Sequence, residues 1–230
     1  MERVSDPAGF ARLNTRRTSV LQVGGFRPTN NLSASNFGRK PLAGPEERWP
    51  AWKGKLLLFV CQLNLAGAPA VPPLLEDVKL ITFFVAPQTG PRHQENGKDW
   101  CLRTYKSLFD LAPLAPPGDA GRLERGFECR WEERADYPTR DDPEIPFPDD
   151  LEPGPDFENV RRTKVGGYPS RIQSELWWEH QDHPAKPQFC WQIDSEKKVG
   201  LAWGDGGMIY IARGTAPGCT DRWFLDWQTY

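Results

Sequence analysis

The sequence predicts an α+β fold, predominantly β, in which one domain holds two diverged β-rich repeats. Three observations predict it. Twenty-three prolines and 21 glycines among 230 residues favour turns and extended segments over long helices. Short apolar runs bounded by turn formers recur along the chain, the signature of buried strands. One motif, Gly-x-x-Pro followed by Gln-Leu/Ile-Asn/Asp, is written twice in the same order.

Residues 1–34 form a basic N-terminal extension, a tail or a peripheral strand. The run 55–65 (Lys-Leu-Leu-Leu-Phe-Val-Cys-Gln-Leu-Asn-Leu) reads as a buried strand and 78–85 as a second. The segment 100–105 fits either a strand or the opening turn of a helix. Beyond it, 188–193, 199–203, 208–213 and 223–227 read as strands. Gly204-Asp205-Gly206-Gly207 is expected to join 199–203 to 208–213 as a hairpin, because Asp-Gly supplies the positive φ such turns need. Between the halves the prolines at 138, 143, 146, 148, 153 and 155 alternate with acidic residues. That pattern excludes a helix interior or a central strand and predicts an extended connector.

The doubled motif sets the domain plan. In the first half, Gly38-Arg39-Lys40-Pro41 precedes Gln62-Leu63-Asn64, with an offset of 24 positions from the first glycine to the glutamine. In the second, Gly166-Gly167-Tyr168-Pro169 precedes Gln192-Ile193-Asp194, with an offset of 26. A domain over 35–230 follows, with repeat halves at about 35–118 and 161–230 and an acidic Pro-rich connector at 119–160. Duplication explains shared order and near-equal spacing better than chance.

The stretches Lys164-Val-Gly-Gly-Tyr-Pro-Ser-Arg-Ile-Gln173, Trp191-Gln-Ile-Asp-Ser195, Gly200-Leu-Ala-Trp-Gly-Asp-Gly-Gly-Met-Ile-Tyr210 and Trp227-Gln-Thr-Tyr230 resemble the YwqG-like family of bacterial proteins. The first half resembles it more loosely, through Ser35-Asn-Phe-Gly38, Trp49-Pro50 and Gln62-Leu-Asn-Leu65, and Arg39 stands where a second glycine is expected. The resemblance implies a single β-rich α+β domain, cytosolic, without a settled biochemical activity. Some members are similar to immunity proteins encoded beside polymorphic toxins.

Charge is unevenly spread. Residues 1–60 carry ten Lys/Arg against four Asp/Glu, a net of +6, whereas 119–160 carry five against fourteen, a net of −9. Such polarity is commonly a solvated face, and it also steers charged partners. The N-terminus lacks a secretory h-region, and no apolar run approaches the roughly 20 residues that cross a bilayer. Five widely spaced cysteines without a CxxC fit reduced thiols in the cytoplasm.

The chemistry-bearing residues have structural readings beside functional ones. His180 and His183 fall in a polar loop and lack the converging ligands a metal needs. Gly204–Gly207 lacks the Lys-Ser/Thr of a phosphate loop. Asp194 and Asp205 could act as an acid/base pair, but turn capping explains both, and catalysis has the least support. No cofactor or metal is called for, and the acidic middle argues against nucleic acid.

The leading expectation is a non-catalytic protein-binding domain, concretely an immunity protein neutralising a cognate toxin. Its binding residues would be Asp141, Asp142, Glu144, Asp149, Asp150 and Glu152, whose negative charge would accelerate capture of a cationic partner. The alternative is a small-molecule cleft between the repeats, near Gln62, Gln192, Asp194, Trp203 and Asp205.

Overall fold

Leu80–Val85 is buried along its whole length, as an apolar strand is when both sheet faces are covered. The computed structural model describes residues 7–87, 91–92, 95–118, 120–145, 147–148, 157–173, 175–179 and 182–230. Helix α1 (Pro7–Asn14) is followed by β1 (Arg16–Val23), β2 (Asn36–Phe37), β3 (Leu58–Asn64), β4 (Leu80–Val85) and β5 (Trp100–Tyr105). Then come β6 (Phe127–Asp136), β7 (Lys164–Gly166), β8 (Pro187–Asp194), β9 (Met208–Gly214) and β10 (Trp223–Gln228). Two short ribbons, Leu42–Ala43 with Ala112–Pro113 and Ala51–Trp52 with Lys55–Leu56, lie outside the main sheet.

The ten strands form one antiparallel sheet in the order β10-β9-β8-β7-β1-β6-β2-β3-β4-β5. Strands five apart in chain order therefore stand at mirror positions about the central β1–β6 pair. β1 pairs with β7 while β6 pairs with β2, so each central strand sits beside the strand that follows the other one in the chain. Register irregularities match as well. One lies between Phe59 and Cys61 in β3, the other between Phe189 and Trp191 in β8. A bulge of this kind twists its strand and re-aims the side chains beyond it.

In a flat sheet β4 and β8 would lie six spacings, roughly 29 Å, apart. Instead Phe83 of β4 meets Trp191 of β8 edge to face, with ring centroids 5.7 Å apart. The sheet is thus curled around a central core holding Ile81, Phe83, Trp191, Ile209 and Ile211. Burying each large side chain there contributes on the order of 2–3 kcal/mol. The outer face of the first half packs Phe59 and Phe84 beneath Trp49, and that of the second packs Tyr210 and Phe224 beneath Leu176 and Trp178. Arg213 of β9 reaches Asp77 at 2.6 Å and the Leu74 carbonyl at 2.6 Å, tying the second half to a turn of the first.

Three segments depart from the sequence reading. Arg16–Val23 is a central strand, not a tail or a peripheral one, since β7 and β6 flank it. Phe127–Asp136 is a ten-residue strand that charged residues hid: Arg130 and Arg134 face solvent while Cys129 and Trp131 pack on the core. Residues 199–203 are not a strand. Lys197–Val199 is a 3₁₀ turn, Leu201 makes one isolated bridge to Glu196, and β9 pairs with β8 instead. The glycine-rich turn keeps its positive φ at Gly204 and Gly206 without closing a hairpin ladder. The segment 100–105 is a strand. No described helix is long and apolar enough to cross a membrane.

Candidate functional site

Proline has no N–H, and the residue after it in each motif, Leu42 or Ser170, lies outside the main sheet. In both halves the motif glutamine captures that next N–H. Gln62 Oε1 accepts from Leu42 N at 2.7 Å, and Gln192 Oε1 accepts from Ser170 N at 2.9 Å. Gln62 Nε2 donates to the Leu32 and Ala34 carbonyls, both at 3.0 Å. Gln192 Nε2 donates to the Arg162 carbonyl at 2.9 Å and to Ser170 Oγ at 3.0 Å. A hydroxyl completes each device: Asn64 N donates to Ser35 Oγ and Asp194 N to Thr163 Oγ1. Both amides are wholly buried and engaged by the chain itself.

The second half adds a buried ion pair. Lys164 Nζ lies 2.7 Å from Asp136 Oδ2, and neither side chain is exposed. Tyr168 N donates to the same oxygen at 2.7 Å, and Val160 N donates to Oδ1 at 2.7 Å. Gly166 and Gly167 both have positive φ, which aims the Tyr168 N–H at the carboxylate. Lys164 also donates to Ser170 Oγ at 3.2 Å, and Ser170 Oγ to the Val160 carbonyl at 3.0 Å. Burial outweighs the attraction of Asp136 and brings the Lys164 ammonium down to about 8 from 10.5.

Because Asp136 ends β6 and Val160 precedes β7, this carboxylate closes the base of the loop 137–159. Asn159 Nδ2 donates to the Tyr137 carbonyl at 2.7 Å across the same base. Aromatic contacts hold the loop down: Phe157 lies 5.4 Å from Tyr137, and Phe147 4.7 Å from Phe10 of α1. A second clamp comes from Arg171, within the motif's C-terminal flank. Its guanidinium reaches Asp142 at 3.1 Å and Glu179 at 2.7 Å, with its side chain 3% exposed. Asp142 Oδ1 in turn accepts from Glu144 N at 3.0 Å.

The loop 137–159 carries eight carboxylates and one arginine. Asp141, Glu144 and Glu158 face solvent. Asp142 is buried and serves the Arg171 clamp. Asp149, Asp150 and Glu152 lie outside the described residues. The described parts of the acidic segment, 137–145, 147–148 and 157–159, are thus anchored to the rest of the chain rather than standing off as a simple extended spacer.

The remaining predicted residues are spread over different surroundings. Asp194 is half-buried at the end of β8, where burial raises its carboxyl despite Arg161 and Arg162 nearby. Asp205 is exposed on its turn, and Trp203 is buried in the central core. Ser195, beside Asp194, accepts from Trp203 N at 3.0 Å and donates to the Gly207 carbonyl at 2.9 Å. His183 Nδ1 accepts from Ala185 N at 3.1 Å and packs edge to face on Phe224, while His180 lies outside the described residues. No metal-binding cluster occurs among the described residues. All five cysteines are free, and burial pushes Cys129 and Cys190 up to about 12.

Sequence reasoning missed Asp136, Lys164 and Arg171 as the residues that shape this site. Lys164 and Arg171 flank the motif, and that adjacency was the available signal. Asp136 could not be paired with them without knowing that β6 and β7 both flank β1. No curated protein matches the chain. Residues 35–212 match the domain of unknown function DUF1963. That span takes in well over half of the chain, and the protein belongs to the DUF1963 family.

Proposed function

We propose that the protein is a non-catalytic binding protein whose acidic loop 137–159 docks on a cationic protein partner. The observation that carries this reading is the double clamp on the loop. Asp136 closes its base, and Arg171 holds its first limb through Asp142. Closed surface loops packed on their own side chains are frequently functional. Anchoring the limbs of such a loop in advance lowers the entropy lost on binding, and its charge raises the association rate.

The YwqG-like resemblance adds the concrete form, an immunity protein that neutralises a toxin in the cytoplasm. A toxin acting on nucleic acid carries a cationic cleft, which a clamped acidic loop complements. The matched strand order, bulges and glutamine devices support reading the two halves as diverged copies of one β-rich unit. On that reading the acidic loop is the insertion between the copies.

Co-purification with the product of the adjacent gene tests the reading. The wild-type protein is expected to retain that product. A variant with Asp141, Glu144, Asp149, Asp150 and Glu152 changed to lysine is expected to lose it while keeping its fold. Retention by the variant at unchanged affinity would refute the proposal. Asp142 is left intact because it holds the loop.

A further inference from the structure

We infer that a groove beside the first copy of the motif binds a small amphipathic anion, an apolar body ending in a carboxylate or similar group. The groove has a volume of about 460 Å³ and is walled by Leu32, Trp49, Phe59, Pro116 and Leu123. This is the size and character of a ligand site: largely apolar, with a few polar groups at its mouth. Leu32 is 56% exposed at its edge, one of four large apolar side chains that face solvent among the described residues. Gly38 lets Leu123 pack close in the wall, since a Cβ there would stand 3.1 Å from the Leu123 Cβ and 3.0 Å from the Arg125 carbonyl oxygen.

The polar groups of the groove are all cationic: Arg39, Lys40 and Arg122. Arg39 is already committed to Glu128, at 3.0 Å. Lys40 and Arg122 are exposed, and neither makes an ion pair with a described residue. Apolar walls beneath two uncompensated cations select the sign of the ligand's head as well as the nature of its body.

The two motif copies differ at this point. After its first glycine the second copy has Gly167, whose space is closed by the Asp136 carboxylate. The first copy has Arg39 there, followed by Lys40, and opens on the groove. The departure from the glycine pair thus coincides with the appearance of a cationic cavity mouth.

The test uses the full-length protein and titration calorimetry with decanoate below its micelle concentration. Acetate supplies the head without the body, and decyltrimethylammonium the body with the opposite head. Decanoate is expected to bind saturably at one site, and neither control is. Lys40→Glu with Arg122→Glu should weaken decanoate about tenfold or more, as loss of charge-assisted contacts does. Leu32→Glu should weaken it comparably. All three positions face solvent, so circular dichroism should confirm that the variants fold. Absence of saturable decanoate binding, equal binding of the cationic amphiphile, or binding that survives both variants would overturn the inference.

Discussion

Gly167 sits against the carboxylate of Asp136 so closely that a methyl group on the glycine would overlap the aspartate Oδ2. Its φ of +69° is also one that side chains resist. The second glycine of the pair is therefore set by the buried ion pair beside it, not by the turn alone.

Gly167→Ala is accordingly expected to cost roughly 3 kcal/mol or more, combining backbone strain with displacement of a buried charge. Gly54→Ala is the control. Gly54 has φ +74°, but a methyl group there would meet nothing within 4 Å, so about 1–2 kcal/mol is expected. Urea unfolding of both variants distinguishes them, and equal costs would contradict the account.

Gln62→Ala and Gln192→Ala should each cost roughly 2–4 kcal/mol. Each leaves a buried N–H, of Leu42 or of Ser170, and one carbonyl, of Leu32 or of Arg162, without its partner. The two variants should be similar in size because the devices are similar. A loss below about 0.5 kcal/mol in either would show that solvent or a neighbour replaces the amide.

The glutamines mark how much the sequence could reveal. Their apolar settings exposed them as buried polar groups needing partners, and the shared motif located them in both halves. The apolar strands were legible for the same reason: β4 and β9 have no solvent face to interrupt their pattern. β6 was not legible, because six of its ten side chains are charged and its burial depends on β1 and β2 beside it. The loop's acidity could be read directly. The burial of Asp142 could not, since its partner Arg171 lies 29 residues further along the chain.

Lys164 gives the protein a defined alkaline response. Its ammonium is held down to about 8, against 10.5 for an ordinary lysine. Between those values the unfolded chain binds more protons than the folded one, so this site adds stability as pH rises through the window. Urea unfolding from pH 7.5 to 10 should show wild type gaining on Lys164→Met across that range. A constant difference between the two would contradict the buried, proton-releasing pair.

The central claim is that an anchored acidic loop captures a cationic protein. Its most direct measurement is the association rate with the adjacent gene's product between about 50 and 300 mM salt, where screening takes effect. For the wild-type loop the account predicts a rate falling steeply with salt, and for the lysine-substituted loop a slow rate nearly independent of salt. Identical rates and salt slopes for the two proteins would contradict it.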